Sequence, residues 1–354
     1  MNTKKAIVFI IVVVLCCHIN AQTLSGEVYD KDTKQPVMGV HVYFDGTTVF
    51  AVTNDSGRFE LSVHTVNNMI NPKLVLHHVA YNTVVIDYIS DDFPERFYIQ
   101  ERSYTFDELI IRPSPFYRNR MLKAFKEQFL GVTRAGKSCK IENEDDLKLW
   151  FDRQTNSLMA SSDHPIVVVN EYLGYKISIF QLDFRTEYTG VTLNTGRVRR
   201  TFFTMTTSYI DLYPNDDVIK IRRDAVYENS RAFFLKNFAN NTLNEAGFQI
   251  YKGFRIDDIR ELFTIKDTLS QKVIKPVRSS NVTASNNLGL RTGGFKVVYR
   301  GNVSFVKILA DDLLVDKYGN VDQIDKVQYS GVMGKYRVGD MLPFDYEPAC
   351  KRFQ

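Results

Sequence analysis

Alternating apolar and polar positions dominate the chain from residue 24 to about residue 98. In 58–63, for example, Phe59, Leu61 and Val63 are separated by polar residues. This two-residue period predicts half-buried strands, because successive side chains of a strand point to opposite faces. The pattern predicts strands at 24–30, 40–44, 49–53, 58–63, 73–78 and 83–88. Several short strands with turns between them are typical of a β-sandwich.

Turn residues separate these strands. The run Asn54, Asp55, Ser56, Gly57 is a strong turn signal, because Asn, Asp and Gly tolerate the left-handed backbone that tight turns need. A polar stretch at 31–36 predicts another turn. The strands are therefore expected to be joined by short connections.

Helical spacing appears after residue 115. Apolar residues at Leu122, Phe125 and Phe129 predict a helix over 115–130, which Pro115 begins and Gly131 ends. A second helix is predicted over 222–242, with its apolar positions at Ala225, Phe233, Phe234 and Phe238.

The rest of the second part is rich in strands. Strands are predicted at 146–152, 158–160, 165–170, 175–188, 199–208, 295–309, 313–316 and 327–332. The run 279–294, rich in Ser, Asn, Thr and Gly, predicts an exposed loop, and 316–321 predicts a hairpin turn. The second part is thus expected to be a β-dominated α+β domain with about two helices.

The N-terminus has the pattern of an export signal. Lys4 and Lys5 precede an apolar run over 6–17, and Ala21 provides a small residue at a cleavage position. We expect residues 1–21 to be a cleavable signal peptide; the alternative is an uncleaved N-terminal anchor. Leu15 before Cys16 does not fit a lipidation signal. No later run is long and apolar enough for a membrane-spanning helix, so the mature chain is expected to be soluble or peripherally attached to a membrane.

Charge and cysteine content limit the kinds of partner and of cysteine chemistry to expect. The formal net charge is +4, and two of these charges lie in the leader, so a nucleic-acid partner is not expected. Two of the four cysteines also lie in the leader. The remaining two, Cys139 and Cys350, form one disulfide or stay as separate thiols, and no signature around either indicates a catalytic cysteine.

The first part of the mature chain resembles a known family. The runs 24–30 (LSGEVYD), 35–42 (QPVMGVHV) and 53–61 (TNDSGRFEL) are similar to the carboxypeptidase regulatory-like domain, with Asn54 where Asp is commoner. The resemblance implies a seven-stranded, transthyretin-like sandwich without an activity of its own. Its turn and core positions are Gly26, Gly39, Asp55, Gly57 and Phe59.

The resemblance also bears on location. The domain is similar to the N-terminal extension of many TonB-dependent outer-membrane transporters, and it occurs in stand-alone envelope proteins. The second part looks like the C-terminal region of uncharacterised bacterial envelope proteins, on the basis of residues 129–131, 138–146, 170–175 and 342–346. The resemblance therefore implies a bacterial envelope protein.

No motif for catalysis or metal binding stands out. His77 and His78 are adjacent on a predicted strand and point to opposite faces, and neither a zinc-ligand pattern nor a nucleophile motif occurs. Acidic residues cluster at 142–146, 257–258 and 311–312, where solvated turns are the simpler interpretation and a glycosidase pair is the alternative. We expect no cofactor and no metal.

Two features are candidates for binding, although solvated charges and core aromatics are the simpler interpretations. Arg197, Arg199 and Arg200, together with Arg222 and Arg223, form basic patches that either bind an anionic partner or are solvated. Trp150 and the numerous tyrosines either fill cores or form a glycan-binding face.

The sequence predicts a signal peptide (1–21), a sandwich (22–103), a connector (104–114) and a β-rich α+β domain (115–354). We expect an exported protein of the periplasm or outer membrane with a non-catalytic binding or structural role, in which the sandwich acts as a protein-interaction module and the second part engages a protein partner. Its expected partner is an envelope protein such as a TonB-dependent transporter. The alternative is a hydrolase acting on glycans or peptides.

Overall fold

The computed structural model describes residues 23–88, 93–102, 114–256, 258–268, 271–277 and 294–349. The predicted signal peptide, nearly all of the predicted connector, most of the predicted loop 279–294 and Cys350 lie outside the described residues.

Strands make up most of the regular structure. Strands β1 to β7 span Thr23–Asp30, His41–Phe44, Phe50–Val52, Arg58–Ser62, Lys73–His77, Val84–Asp87 and Arg96–Ile99. Strands β8 to β13 span Cys139–Ile141, Lys148–Asp152, Ser157–Ser161, Ile166–Asn170, Tyr175–Tyr188 and Val198–Asp211. Strands β14 to β21 span Phe248–Lys252, Phe254–Ile256, Phe263–Asp267, Lys272–Pro276, Gly294–Tyr299, Asn302–Ile308, Leu313–Val315 and Val327–Gly331. Helices α1 to α4 span Arg118–Phe129, Arg134–Lys137, Asp217–Glu228 and Arg231–Asn240.

The N-terminal part is the predicted β-sandwich. One sheet has the order β4-β1-β7 and the other the order β3-β2-β5-β6. All six strands predicted there are present, and the predicted inward residues Phe59, Leu61 and Val63 are buried. The seventh strand, β7, lies parallel to β1. The alternation pattern did not predict β7, because the strand has only four residues and the exposed Tyr98 stands between Phe97 and Ile99 where a polar residue would mark the alternation.

Two turn positions of the sandwich have left-handed backbone. Gly39 has a φ of 79° and Gly57 a φ of 72°. The Asn54 side chain accepts hydrogen bonds from the backbone N–H groups of Ser56 (3.0 Å) and Arg58 (2.9 Å). Asp55 lies exposed in the same turn, where Ser56 Oγ approaches its carboxylate at 3.4 Å. Asn54 therefore provides the side-chain bonds that close this turn.

A sheet built on two long strands follows. Strand β12 pairs with β11 along its first half, with β10 along its second half and with β13 along its other edge. Helix α1 covers one face of this sheet, where Phe125 and Phe129 contact Phe184 at ring-centroid distances of 4.8 and 5.9 Å. Gly131 follows this helix with a φ of 94° and ends it, as predicted.

The last part combines a five-stranded sheet, β15-β14-β18-β19-β21, with a three-stranded sheet, β16-β17-β20. Helix α4 inserts Phe233, Phe234 and Phe238 into their common core. The described residues of the second part therefore form a mainly β architecture with a few helices.

Three predicted boundaries were wrong. The predicted helix 222–242 is two helices, because Ser230 caps a new helix by accepting a bond from the Phe233 N–H at 3.0 Å, and Ala225 is exposed. The predicted strand 295–309 is a hairpin that turns at Arg300 and Gly301, whose φ angles are 48° and 78°. Helix α1 begins at Arg118 and not at Pro115.

A β-bulge decides how the sandwich meets the second part. Between Phe180 and Asp183 the pairing of β12 with β13 slips by one residue, and Gln181 has a φ of 52°. The extra residue changes which face later side chains take. The buried residues on the α1 side are Ile177, Ile179, Leu182 and Phe184. Phe180 therefore points the other way, towards the sandwich.

Phe180 packs on the outward face of the sheet β3-β2-β5-β6. Its ring stacks on Tyr43 with centroids 4.7 Å apart and lies 4.7 Å from the His77 ring. Val75 completes this small buried cluster. The Tyr43 and Thr206 hydroxyls are 2.8 Å apart and share a hydrogen bond. Burial lowers the pKa of His77 to about 4, so His77 is neutral at neutral pH.

The sandwich loop 45–48 pairs with the outer edge of β13. The Gly46 N–H donates to the Thr207 carbonyl at 2.8 Å, and the Tyr209 N–H donates to the Thr47 carbonyl at 2.9 Å. The Thr207 N–H donates to the Asp45 carboxylate at 2.8 Å. Three hydrogen bonds thus join the loop to Thr207 and Tyr209 on this edge of β13.

The C-terminal segment holds the same loop from the other side. The Phe344 N–H donates to the Gly46 carbonyl at 2.7 Å, and the Asp345 carboxylate accepts from the Thr48 hydroxyl at 2.7 Å. A Cβ atom on Gly46 would lie 2.3 Å from the Phe344 ring, and Gly46 has a φ of 74°. Only glycine fits this position. We call the contacts made by Phe180, by loop 45–48 and by Phe344 the junction.

We predict that Gly26→Ala destabilises the sandwich by about 1–3 kcal/mol. Gly26 is buried in β1, and a Cβ there would lie 2.8 Å from the Phe59 ring and 2.9 Å from the Phe97 ring. Urea unfolding measures the change. The matched control is Ser25→Ala at the neighbouring exposed position, which should stay within about 0.5 kcal/mol of the original chain. Equal stability of both variants would contradict the tight approach of the rings to β1.

We predict that Asp45→Asn becomes relatively more stabilising as pH rises. Burial raises the pKa of the Asp45 carboxyl to about 6, above its value in the unfolded chain. As pH rises towards 6, the carboxyl therefore ionises in the unfolded chain before it ionises in the folded protein, and the folded state loses stability. Asparagine keeps an acceptor for the Thr207 N–H but carries no charge. The free energy of unfolding of the variant, relative to the original chain, should rise by about 1–2 kcal/mol between pH 4.5 and pH 7.5. A difference in the free energy of unfolding that stays constant with pH would contradict a raised pKa for Asp45.

Candidate functional site

The face of the β12–β13 sheet opposite helix α1 carries a row of large side chains. Strand register places Trp150 beside Met159, Met159 beside Arg185 and Arg185 beside Phe202, so the row crosses four strands. Phe202 is 50% exposed, and the other three are partly buried. An exposed aromatic next to arginine is typical of the residues that dominate protein interfaces.

A buried carboxylate organises the arginines beside this row. Glu187 lies opposite Arg200 and accepts from its Nε at 2.6 Å, while Arg185 Nη2 lies 2.8 Å away. The hydrogen bond from Arg200 keeps the pKa of Glu187 below its usual value, so the carboxylate is charged at neutral pH. The Arg200 guanidinium also lies 5.0 Å from the centroid of the Phe202 ring. Glu187 thus orients both arginines against the aromatic row.

The remaining basic residues of the first predicted patch lie at the beginning of β13, Arg197 just before its first residue and Arg199 within it. Arg197 and Arg199 are exposed, and neither forms an ion pair within the described part of the chain. We call the residues Trp150, Met159, Arg185, Arg197, Arg199, Arg200 and Phe202 the aromatic–arginine surface. The structure therefore brings together Trp150 and the arginines that the sequence singled out separately.

The second predicted basic patch does not form a solvated face. Arg223 is 3% exposed and binds Asp211 through two hydrogen bonds of 2.7 Å. Its guanidinium also donates to the Leu173 and Gly174 carbonyls at 2.7 and 3.1 Å. This residue holds helix α3 on the sheet, and interpreting Arg223 as a solvated charge was wrong. Sequence spacing gave no signal of this burial.

The acidic clusters take part in structural contacts. Glu142 forms an ion pair with Lys176 at 2.9 Å, and Glu144 pairs with Lys126. Asp312 pairs with Lys275 at 2.8 Å. Across the described ranges, no group of three or more His, Cys, Asp and Glu side chains converges to hold a metal ion.

The acid of the predicted 316–321 turn is also structural. Asp316 is buried and accepts from the Tyr318 and Asn320 N–H groups, each at 2.9 Å. It also accepts from the Ile70 N–H at 3.2 Å, which ties the turn to the sandwich. Asp316 therefore serves the fold.

Cys139 faces a groove of about 470 Å³ between helix α1 and the segment that follows it. Lys123, Lys126 and Lys137 also line this groove. Burial raises the pKa of the Cys139 thiol to about 12, so the thiol is protonated at neutral pH and is a poor nucleophile. The predicted disulfide partner, Cys350, lies outside the described residues, so the pairing stays a prediction.

None of the described helices has both the length and the hydropathy needed to cross a bilayer.

Comparison with known proteins places the first part of the chain in a family. Residues 24–111 match the family model of the CarboxypepD_reg-like domain. No curated protein matches the chain. Among solved structures, a 9R-lipoxygenase from Cyanothece PCC8801 aligns with 9% identity over 61% of this chain and 45% of that one. Its TM-score of 0.17 is too low to indicate a shared fold.

The family match covers the sandwich strands β1 to β7 and the turn and core positions Gly26, Gly39, Asp55, Gly57 and Phe59. It confirms the resemblance drawn from the sequence. The N-terminal sandwich of this chain is a carboxypeptidase regulatory-like domain, followed by a larger β-rich part.

Proposed function

We propose that this chain is an exported envelope protein with a non-catalytic role, in which the second part binds a protein partner and the sandwich is its support. The observation that carries the proposal is the aromatic–arginine surface, whose residues Arg185, Arg199, Arg200 and Phe202 stand on β12 and β13, the two strands that the junction clamps to the sandwich. Because loop 45–48 and Phe180 both fix this ribbon, the surface is presented in one orientation. Preorganisation of this kind reduces the entropy lost on binding.

Charge and shape favour a protein partner. The surface is broad, and its exposed groups are one large aromatic ring and three arginines, Arg197, Arg199 and Arg200. Aromatic and arginine side chains are enriched at protein interfaces, where they supply most of the binding energy. The positive charge predicts an acidic contact face on the partner. An outer-membrane protein such as a TonB-dependent transporter is the partner that we propose.

We predict that the double variant Arg199→Glu/Phe202→Ala loses its partner. Tagged protein spanning 22–354 is used to capture proteins from solubilised envelope fractions, and the recovered partner is quantified by mass spectrometry. Loss of an aromatic contact together with reversal of a charge should reduce capture at least tenfold, since such interface residues each contribute about 1–2 kcal/mol or more.

The matched control is Arg255→Glu/Phe305→Ala, which changes the same residue types on the five-stranded sheet. Arg255 is exposed there, and Phe305 is 52% exposed. The control should capture the partner as the original chain does. Equal loss in both variants, or turnover of a glycan or peptide library without any captured partner, would contradict the proposal.

We also predict that the protein isolated from an envelope fraction begins at Gln22. The charged start, the apolar run and Ala21 support cleavage at that position. N-terminal sequencing measures the start directly. An intact Met1 on a membrane-bound protein would instead support an uncleaved anchor.

A further inference from the structure

Strand β13 is covered on one edge by β12, but its other edge is covered only in part. Backbone groups along a strand point alternately to its two edges. Thr207 and Tyr209 point away from β12 and bond to the sandwich loop 45–48. The same two-residue period directs the backbone of Met205, Phe203 and Thr201 to that edge. These three residues present three N–H donors and three carbonyl acceptors.

Within the described residues, no strand pairs with this part of the edge. Among the described strands β13 pairs with β12 alone, and the isolated bridge between Thr47 and Ser208 marks the end of the section covered by loop 45–48. An open strand edge of this length is a template for another extended chain. The open edge therefore runs from Arg199 to Met205.

The covered section shows that this edge accepts backbone and carboxylate groups of another part of the chain. Loop 45–48 approaches β13 in the parallel sense, through the bridge between Thr47 and Ser208. Within that loop, the carboxylate of Asp45 accepts the Thr207 N–H at 2.8 Å. A turn of the sandwich that carries one aspartate, Asp45, thus already bonds to one end of the edge.

Charge at the open end favours an acidic segment. Arg197 and Arg199 are exposed and form no ion pair with the residues that the structure describes, and Arg199 acts on Glu187 only by its charge, which helps to lower the pKa of that carboxyl. Arg200, which pairs with Glu187, keeps a side chain that is 61% exposed. Cations beside an edge repel basic strands and attract acidic ones.

We infer that the open edge of β13, from Arg199 to Met205, is a strand-addition site for an extended acidic segment of the partner. The inference rests on the proposed function and names how the partner is recognised. Backbone hydrogen bonds to Thr201, Phe203 and Met205 supply affinity, while Arg197 and Arg199 select acidic side chains. Asp45 and Thr47 limit the added strand at the sandwich end.

The test uses synthetic peptides and the mature chain spanning 22–354. The probe is a fluorescent eight-residue peptide that alternates Glu with Val, and its counterpart carries Lys in place of Glu. Fluorescence anisotropy should give a Kd below about 1 mM for the acidic peptide and at least tenfold weaker binding for the basic one. Arg199→Glu should weaken binding of the acidic peptide at least tenfold, and Arg255→Glu should leave its Kd unchanged. Unfolding midpoints of both variants confirm that they fold.

Two N-methylated forms of the acidic peptide test the strand geometry. One form is methylated at the four odd positions and the other at the four even positions. In an added strand only one set of N–H groups faces β13, so one form should bind as the parent does and the other should not bind. Equal binding of both forms, or no binding of the acidic peptide, overturns the inference.

Two further outcomes separate the inference from the proposed function. If Arg199→Glu/Phe202→Ala abolishes partner capture while no peptide binds, the proposed function stands and strand addition is overturned. If sedimentation shows a dimer that Arg199→Glu dissociates, the edge belongs to a second copy of the chain, and the acidic partner segment is overturned.

Discussion

The bulge at Gln181 is the constraint on which the arrangement of the two parts depends. A regular strand through this point would direct Phe180 and Leu182 to the same face, because both positions have the same parity. The inserted residue separates them, so that Leu182 enters the core under α1 and Phe180 reaches Tyr43 of the sandwich. One ribbon thereby contributes to two cores.

The junction that follows from this bulge combines weak contacts of different kinds. The stack of Phe180 on Tyr43 contributes about 0.5–1.5 kcal/mol beyond simple burial, and each backbone bond of loop 45–48 contributes a similar amount. Gly46 allows the Phe344 ring to close against the loop. Asp45 works against this stability, since its carboxyl is buried with a raised pKa. Retaining a costly carboxylate is consistent with a requirement for orientation, because its bond to Thr207 sets where the loop meets β13.

Much of the sandwich was predictable from the sequence, and less of the second part. Alternation located the six strands up to residue 88, and the turn at 54–57 was readable from its residue types. The strand β7 was missed because it is short and its exposed position, Tyr98, is aromatic, so that apolar and polar residues do not alternate there. The bulge leaves a trace in the run Ile177-Ser-Ile-Phe-Gln-Leu182, where the apolar period shifts, but the trace does not show which protein surface Phe180 meets. The surface itself depends on strand register: Trp150 and Phe202 are far apart in sequence, and only pairing through β10 and β12 brings them into one row. Likewise, the burial of Arg223 against Asp211 depends on where helix α3 docks.

Amide hydrogen exchange along β13 tests the junction most directly. The Tyr209 N–H points to the sandwich and the Phe203 N–H points to the open edge of the same strand. If the sandwich is held on β13, Tyr209 exchanges only with the global unfolding that also exposes the core at Ile177, whereas Phe203 exchanges much faster. Exchange of the Tyr209 N–H as fast as that of Phe203 would show that the sandwich detaches readily, and would contradict a junction that fixes the two parts together.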